Sequence, residues 1–257
     1  MSRAAHKRFS LSLMAAVVAS VCWLALQPAL AQNASSIPRP APVAYEALYE
    51  ARAMGMRSTA YRRLEQSENG EYILEHGLSA SVLGATLISV EESSRFRWDD
   101  NGAVPLEYHY KQGGVRHRDE RVQFDQEQRS AQLSRENREQ TLTLEGQVLD
   151  DLSFSAQLSA DLLADPALHA VDTVLRYQIV DARRLDTHEY RVLGLEKITT
   201  GAGELDALKL ERVRDANSDR STILWLAPAN QFTLARLQQV ENGSNMELTL
   251  KEITWRD

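Results

Sequence analysis

Cysteine is nearly missing from this chain: one thiol, Cys22, in 257 residues. It sits inside the N-terminal apolar run, with Val21 where a lipid-bearing cysteine wants a small residue before it and Trp23-Leu24-Ala25-Leu26 continuing the run. Cleavage at Cys22 is not expected. Without that run the chain has no disulfide, no thiolate nucleophile and no cysteine metal site. Positive charge is also in deficit, 29 Lys and Arg against 36 Asp and Glu, for a net −7. An acidic chain is poorly suited to a phosphate backbone, so nucleic acid is excluded as a partner. After the first segment no apolar run is long enough to cross a bilayer.

Catalytic signatures are missing too. No serine stands in G-x-S-x-G. His117-Arg118-Asp119 lacks the leucine and downstream asparagine of a kinase catalytic loop. His76, His109, His117, His169 and His188 show neither H-x-x-x-H nor H-x-H spacing and read as surface histidines rather than metal ligands. Asp150-Asp151, a conceivable acid and base pair, is explained by helix capping. The expectation is a protein that is not an enzyme and uses no cofactor or metal.

What is present begins with an export signal. Arg3, Lys7 and Arg8 precede the apolar stretch Leu11 to Leu26, and Pro28 precedes the small-residue cleavage site Ala29-Leu30-Ala31. Residues 1–31 are therefore expected to be a signal peptide cleaved near Ala31. Its loss takes three positive charges and no negative ones, moving the net charge from −7 to −10. Residues 32–43, with Pro38, Pro40 and Pro42, read as an extended linker. Residues 44–257 are left for a single β-rich domain with an ordinary apolar core.

In that domain the hydrophobic period is two. Val43, Tyr45, Ala47 and Tyr49 alternate with polar or small neighbours, and Tyr72, Leu74, His76, Leu78, Ala80 and Val82 repeat the pattern after Glu68-Asn69-Gly70. A turn at Asp99-Asp100-Asn101-Gly102 leads to Leu106, Tyr108 and Tyr110, and Val122-Gln123-Phe124 opens the next strand. Ile223 and Trp225 oppose Leu224 and Leu226, which predicts a strand covered on both faces. Glu241-Asn242-Gly243-Ser244 is a hairpin signal. One segment departs from this period: Phe154, Leu158 and Leu162 recur at i, i+4, i+8 between Asp150-Asp151 and Pro166, predicting a helix of about four turns.

Gly201-Ala202-Gly203 invites comparison with a dinucleotide loop. It lacks the third glycine, Glu204 and Asp206 stand where an anion would dock, and the residues that follow keep the strand period. A hairpin bend between the strands through Leu193-Leu195 and Leu208-Leu210 is the expectation.

Four stretches also carry a family likeness. They are Asn101-Gly102-Ala103-Val104-Pro105 with Tyr108; Leu149-Asp150-Asp151-Leu152-Ser153; Glu196-Lys197-Ile198-Thr199-Thr200-Gly201 leading to Leu205-Asp206-Ala207-Leu208-Lys209; and Thr222-Ile223-Leu224-Trp225-Leu226-Ala227-Pro228. On these the chain resembles the bacterial envelope family catalogued as domain of unknown function 3108, from about Ala44 to Ile253. Where the family commonly has Pro-Val-Arg, Thr233-Leu234-Ala235-Arg236 keeps only the arginine. The resemblance implies a mainly β fold in the periplasm: a strongly curved, half-barrel-like antiparallel sheet wrapped around one central helix, similar in outline to lipoprotein-carrier folds. It supplies no catalytic residues.

The expected function is non-enzymatic binding of an apolar ligand, a lipid or lipoprotein acyl chain, between sheet and helix. Tyr108, Tyr110, Phe154, Leu158, Leu162, Tyr177 and Trp225 are the candidate lining. The alternative is an envelope protein-protein interaction module with a filled core.

Overall fold

The computed structural model describes residues 37–53, 55–82 and 85–256. The expected signal peptide lies outside the described residues. Residues 37–44 are irregular but fastened: the Arg39 amide donates to the Asp100 carbonyl at 3.1 Å, and the Trp98 indole donates to the Arg39 carbonyl at 3.1 Å.

Among the described residues fifteen strands and one α-helix follow. In chain order they are β1 (Tyr45–Ala53), β2 (Met56–Gln66), β3 (Tyr72–Val82), β4 (Ala85–Asp99), β5 (Gly102–Gly114), β6 (Arg118–Asp125), β7 (Ser130–Arg135), β8 (Arg138–Thr143) and β9 (Val148–Leu149). Then come the helix α1 (Ser153–Ala164) and β10 (Val174–Val180), β11 (Leu185–Thr200), β12 (Gly203–Val213), β13 (Ser221–Ala227), β14 (Thr233–Glu241) and β15 (Ser244–Trp255). All strands join one sheet, in the order β8-β7-β6-β5-β4-β3-β2-β1-β15-β14-β13-β12-β11-β10-β9. The pairing is antiparallel except where β9 runs parallel to β10. The protein is mainly β, with one helix and a large, curved, open sheet whose two edges are β8 and β9.

Curvature has local causes. Register shifts occur at Leu48/Tyr49, Ala80/Ser81, Arg95/Phe96, Val192/Gly194 and Trp225/Leu226. Each adds a residue to one strand and increases the local bend, which a flat ladder of this width could not achieve. The Asn242-Gly243 loop between β14 and β15 has positive φ at both residues, 49° and 75°, the conformation a tight two-residue hairpin needs.

The strand period sorts side chains between two faces. On the inner face Tyr45, Ala47, Tyr49 and Ala51 of β1 are buried, and they join the main core with Leu64, Leu74, Phe96, Tyr108, Val192, Leu210 and Leu250. A second, smaller cluster of Ile198, Ala207, Trp225, Ala227 and Ala235 occupies the outer face of β11 to β14. The expected two-sided strand is therefore β13, with Leu224 and Leu226 turned one way and Trp225 the other.

The helix differs from expectation in length and cap. It has 12 residues, just over three turns, and begins at Ser153 after Leu152. Asp150 alone does the capping: one carboxylate oxygen accepts the Leu152 and Ser153 amides, both at 2.9 Å, and the other accepts the Ser94 hydroxyl at 2.7 Å. Asp151 takes no part in the cap. The stripe Phe154, Leu158 and Leu162 is buried as the i, i+4, i+8 spacing requires.

Gly201-Ala202 is the expected bend, joining β11 to β12 with Thr200 opposite Gly203. Its tip reaches β15: the Gly201 amide donates to the Leu250 carbonyl at 2.8 Å.

Candidate functional site

Between α1 and the inner face of the sheet lies a cavity of about 540 Å³. One wall is a cross-strand ladder of aliphatic side chains. Leu248 on β15 faces Leu237 on β14, Leu237 faces Leu224 on β13, and Leu224 faces Leu210 on β12. Phe154 and Leu158 of α1 line the cavity from the helix side. Phe154 stacks on Tyr190 with ring centroids 5.0 Å apart and meets Tyr177 edge-on at 5.1 Å, so its position is set by two strands.

One pleat along from the apolar ladder the same face turns polar. Met246 faces Gln239, Gln239 faces Thr222, and the Thr222 hydroxyl accepts a hydrogen bond from Arg214 at 3.2 Å. Arg212, two residues after Leu210, faces Tyr190. Across the cavity, Arg62 on β2 faces His76 on β3, which faces Glu92 on β4. All of these except Arg212's buried neighbour Leu210 line the same space, together with Asp151 and His188.

Enclosure governs their ionisation. Burial pushes the Glu92 carboxyl up to about 7, with the Arg62 charge opposing it. Asp151 is also raised to about 7, first by desolvation and then by the negative charges of Glu92 and Asp181. Asp151 lines the cavity but exposes much of its own surface, so water screens this shift more than that of Glu92. His76 and His188 are each lowered to about 4, mainly by burial, with Arg62 and Arg212 respectively adding repulsion. Two histidines expected at the surface therefore belong to the cavity.

Of the expected lining residues, Phe154 and Leu158 reach the cavity. Tyr108, Tyr110, Leu162 and Tyr177 do not line it. Tyr108 is buried against Glu92, Leu162 is fully buried, Tyr110 donates to Gln112 at 3.0 Å, and Tyr177 donates to Asp161 at 2.9 Å. Trp225 lies on the opposite face of the sheet, where its indole donates to Glu196 at 2.6 Å with the Lys209 ammonium 5.1 Å from its ring. It is absent from the cavity because β13 buries both faces, and a large aromatic fits either.

The strand sequence did carry a signal for the polar lining. Leu208, Leu210, Arg212 and Arg214 keep one phase of the period, as do Ala60, Arg62 and Leu64, so arginine at an inward position marks a polar patch within an apolar face. Among the described residues no group of three or more His, Cys, Asp or Glu could hold a metal ion. His109 and Asp119, 2.8 Å apart, pair away from the cavity beside Arg121.

This arrangement defines a class: a mainly β protein with a broad open sheet, one α-helix among the described residues and a part-open, part-apolar cavity. Residues 55–251 match the family described as Protein of unknown function (DUF3108), and the chain belongs to that family. No curated protein matches it. The crystal structure of a β-barrel-like protein of domain of unknown function DUF1849 from Brucella abortus is similar, with 12% identity, a TM-score of 0.55, and 84% of this chain and 98% of that one covered. Weaker likenesses are to a candidate lipoprotein from Parabacteroides distasonis (13% identity, TM-score 0.31, 84% and 97% covered) and a candidate exported protein with a YmcC-like fold from Bacteroides fragilis (10%, 0.36, 85% and 99%). The first likeness speaks for the fold alone.

Proposed function

We propose that this protein is a non-enzymatic periplasmic binder of an acyl chain, belonging to a lipid or a lipoprotein, and that the chain lies in the cavity between α1 and the sheet. The observation that carries this reading is the aliphatic wall of Leu248, Leu237 and Leu224 facing a cavity of about 540 Å³, within the ~300–1,000 Å³ typical of ligand sites. Each buried methylene contributes roughly 0.8 kcal/mol, so an acyl chain draws its affinity from such a wall without a specific polar contact. The N-terminal basic, apolar and Ala-Leu-Ala pattern supports export, with cleavage near Ala31. In this reading the sheet wraps the helix much as lipoprotein-carrier folds do, leaving the concave side for cargo.

The alternative, an envelope interaction module with a filled core, does not account for the cavity. Among the described residues no helix is long and apolar enough to cross a membrane.

The test is direct. Protein purified from the periplasm is extracted with organic solvent and the extract analysed by mass spectrometry, and delipidated protein is titrated with cis-parinaric acid. A stoichiometric lipid or saturable fluorescence is expected; neither an extractable lipid nor saturable binding would defeat the reading.

A further inference from the structure

Resting on that reading, we infer that the ligand is an anionic amphiphile, whose oxyanion head group is held by Arg212 and Arg214 while its chain runs along the leucine wall. Arg212 lies on β12 and Arg214 directly after its end, continuing the inward phase of Leu208 and Leu210, so the positive charge and the apolar ladder share one face, with Arg212 one pleat from Leu210. An amphiphile needs that adjacency, because its head and first methylenes are separated by little more than a bond length or two.

Several of the other charges around the cavity are committed, whereas Arg62 across the cavity shares with Arg214 a buried Nε that has no acceptor. Arg184 pairs with Asp186 at 3.1 Å, Arg220 pairs with Glu241, and the Asp181 carboxylate accepts the amides of Arg183 and Arg184 at 2.8 and 2.9 Å. Among the described residues neither Arg212 nor Arg214 forms an ion pair with a carboxylate. Arg214 uses one terminal nitrogen on Thr222, and its buried Nε has no hydrogen-bond acceptor. Desolvation first, and then the like charges of Arg212 and Arg220, lower its pKa. A buried Nε–H lacking an acceptor carries a desolvation cost, which an incoming oxyanion would remove.

Two carboxyls on the same space, Glu92 and Asp151, would compete for these arginines if fully ionised. Burial raises both to about 7, which weakens that competition. Arg62 lies on β2 with its guanidinium bonded to Ser155 of α1, and serves the Glu92 side of the cavity. A planar guanidinium pair suits a carboxylate or a phosphate equally, so fatty acids and anionic phospholipids are the two sources of the same chemistry.

The experiment uses the delipidated full-length mature chain with cis-parinaric acid and its methyl ester, which share a chain and differ in charge. Wild type is expected to prefer the acid by about tenfold or more, equivalent to ~1.4 kcal/mol. The double variant Arg212→Gln, Arg214→Gln should lose that preference while still binding the ester, and Arg212→Lys, Arg214→Lys, which keeps the charge and guards against a folding artefact, should retain most of it. Displacement of parinarate by oleate, by phosphatidylglycerol, or by both, with phosphatidylcholine ineffective, supports the site and says which head group it takes. Equal binding of acid and ester by wild type, or an unchanged preference in the glutamine variant, overturns the anionic head-group site while leaving acyl binding intact. Binding of neither probe overturns acyl binding itself and this inference with it.

Discussion

Ser94 on β4 donates a 2.7 Å hydrogen bond to the Asp150 carboxylate, and that contact ties the sheet to the first turn of α1. The same carboxylate accepts the Leu152 and Ser153 amides. Asp150 is fully buried, so its removal leaves three donors without an acceptor. Asp150→Ala is expected to destabilise the protein by ~2–4 kcal/mol, above a typical exposed cap. Urea denaturation of both proteins at one pH checks this.

The Glu92 carboxyl makes stability depend on pH. Its value rises from 4.5 to about 7 on folding, so the native state holds its proton more tightly than the unfolded chain. That contribution is fully present below about pH 4.5 and is lost as pH rises through about 7. His76 and His188 act in the opposite sense: lowered from 6.5 to about 4, they lose stability as pH falls through that window. The groups facing Glu92 include Arg62 on β2, Tyr108 on β5, and Asp150 before the helix. Thermal melts should be highest near about pH 5.5 to 6. From about pH 5 to about pH 8 the Tm of wild type should drop relative to that of Glu92→Gln, because only wild type loses the Glu92 contribution while Asp151, His76 and His188 titrate in both.

Gly201 sits where a side chain has no room. A Cβ there would approach the Lys251 Cα to 2.9 Å, a backbone atom that cannot swing aside. Gly201→Ala is therefore expected to cost about 1–3 kcal/mol and to weaken the contact between the β11–β12 tip and β15. Faster amide exchange at Gly201, whose N–H bonds the Leu250 carbonyl, would report that loss.

Leu224 and Trp225 are neighbours on β13 with opposite destinations. Leu224→Trp should fill cavity space and weaken cis-parinaric acid binding on the order of tenfold or more, with the fold kept. Trp225→Phe should cost about 1–2 kcal/mol through loss of the Glu196 hydrogen bond and weakening of the cation-π contacts. Its probe affinity should stay at the wild-type level. Paired titrations and melts separate the two outcomes.

Strand existence was legible because one side chain in two must face the core: Tyr45 to Tyr49 and Tyr72 to Val82 declare β1 and β3 without help from the rest of the chain. Asn242-Gly243 and Gly201-Ala202 were equally legible, since tight hairpins require those conformations locally. β8 was less so, because an edge strand exposed on both faces has little apolar alternation to read.

The amino-acid sequence by itself determined the family, the β-rich class, the single helix and the turn chemistry, all of which follow from local period and backbone preference. Only the tertiary structure decided between residues that are chemically alike. Asp150 caps the helix while Asp151 faces the cavity, because Ser94 reaches one carboxylate and not the other. Leu224 lines the cavity while Trp225 lies outside, because β13 is covered on both sides and alternation alone cannot say which side is concave. Arg62, Glu92, Arg212 and Arg214 share one space only after strands distant in sequence are bent towards each other by the bulges. No local rule reaches across that separation.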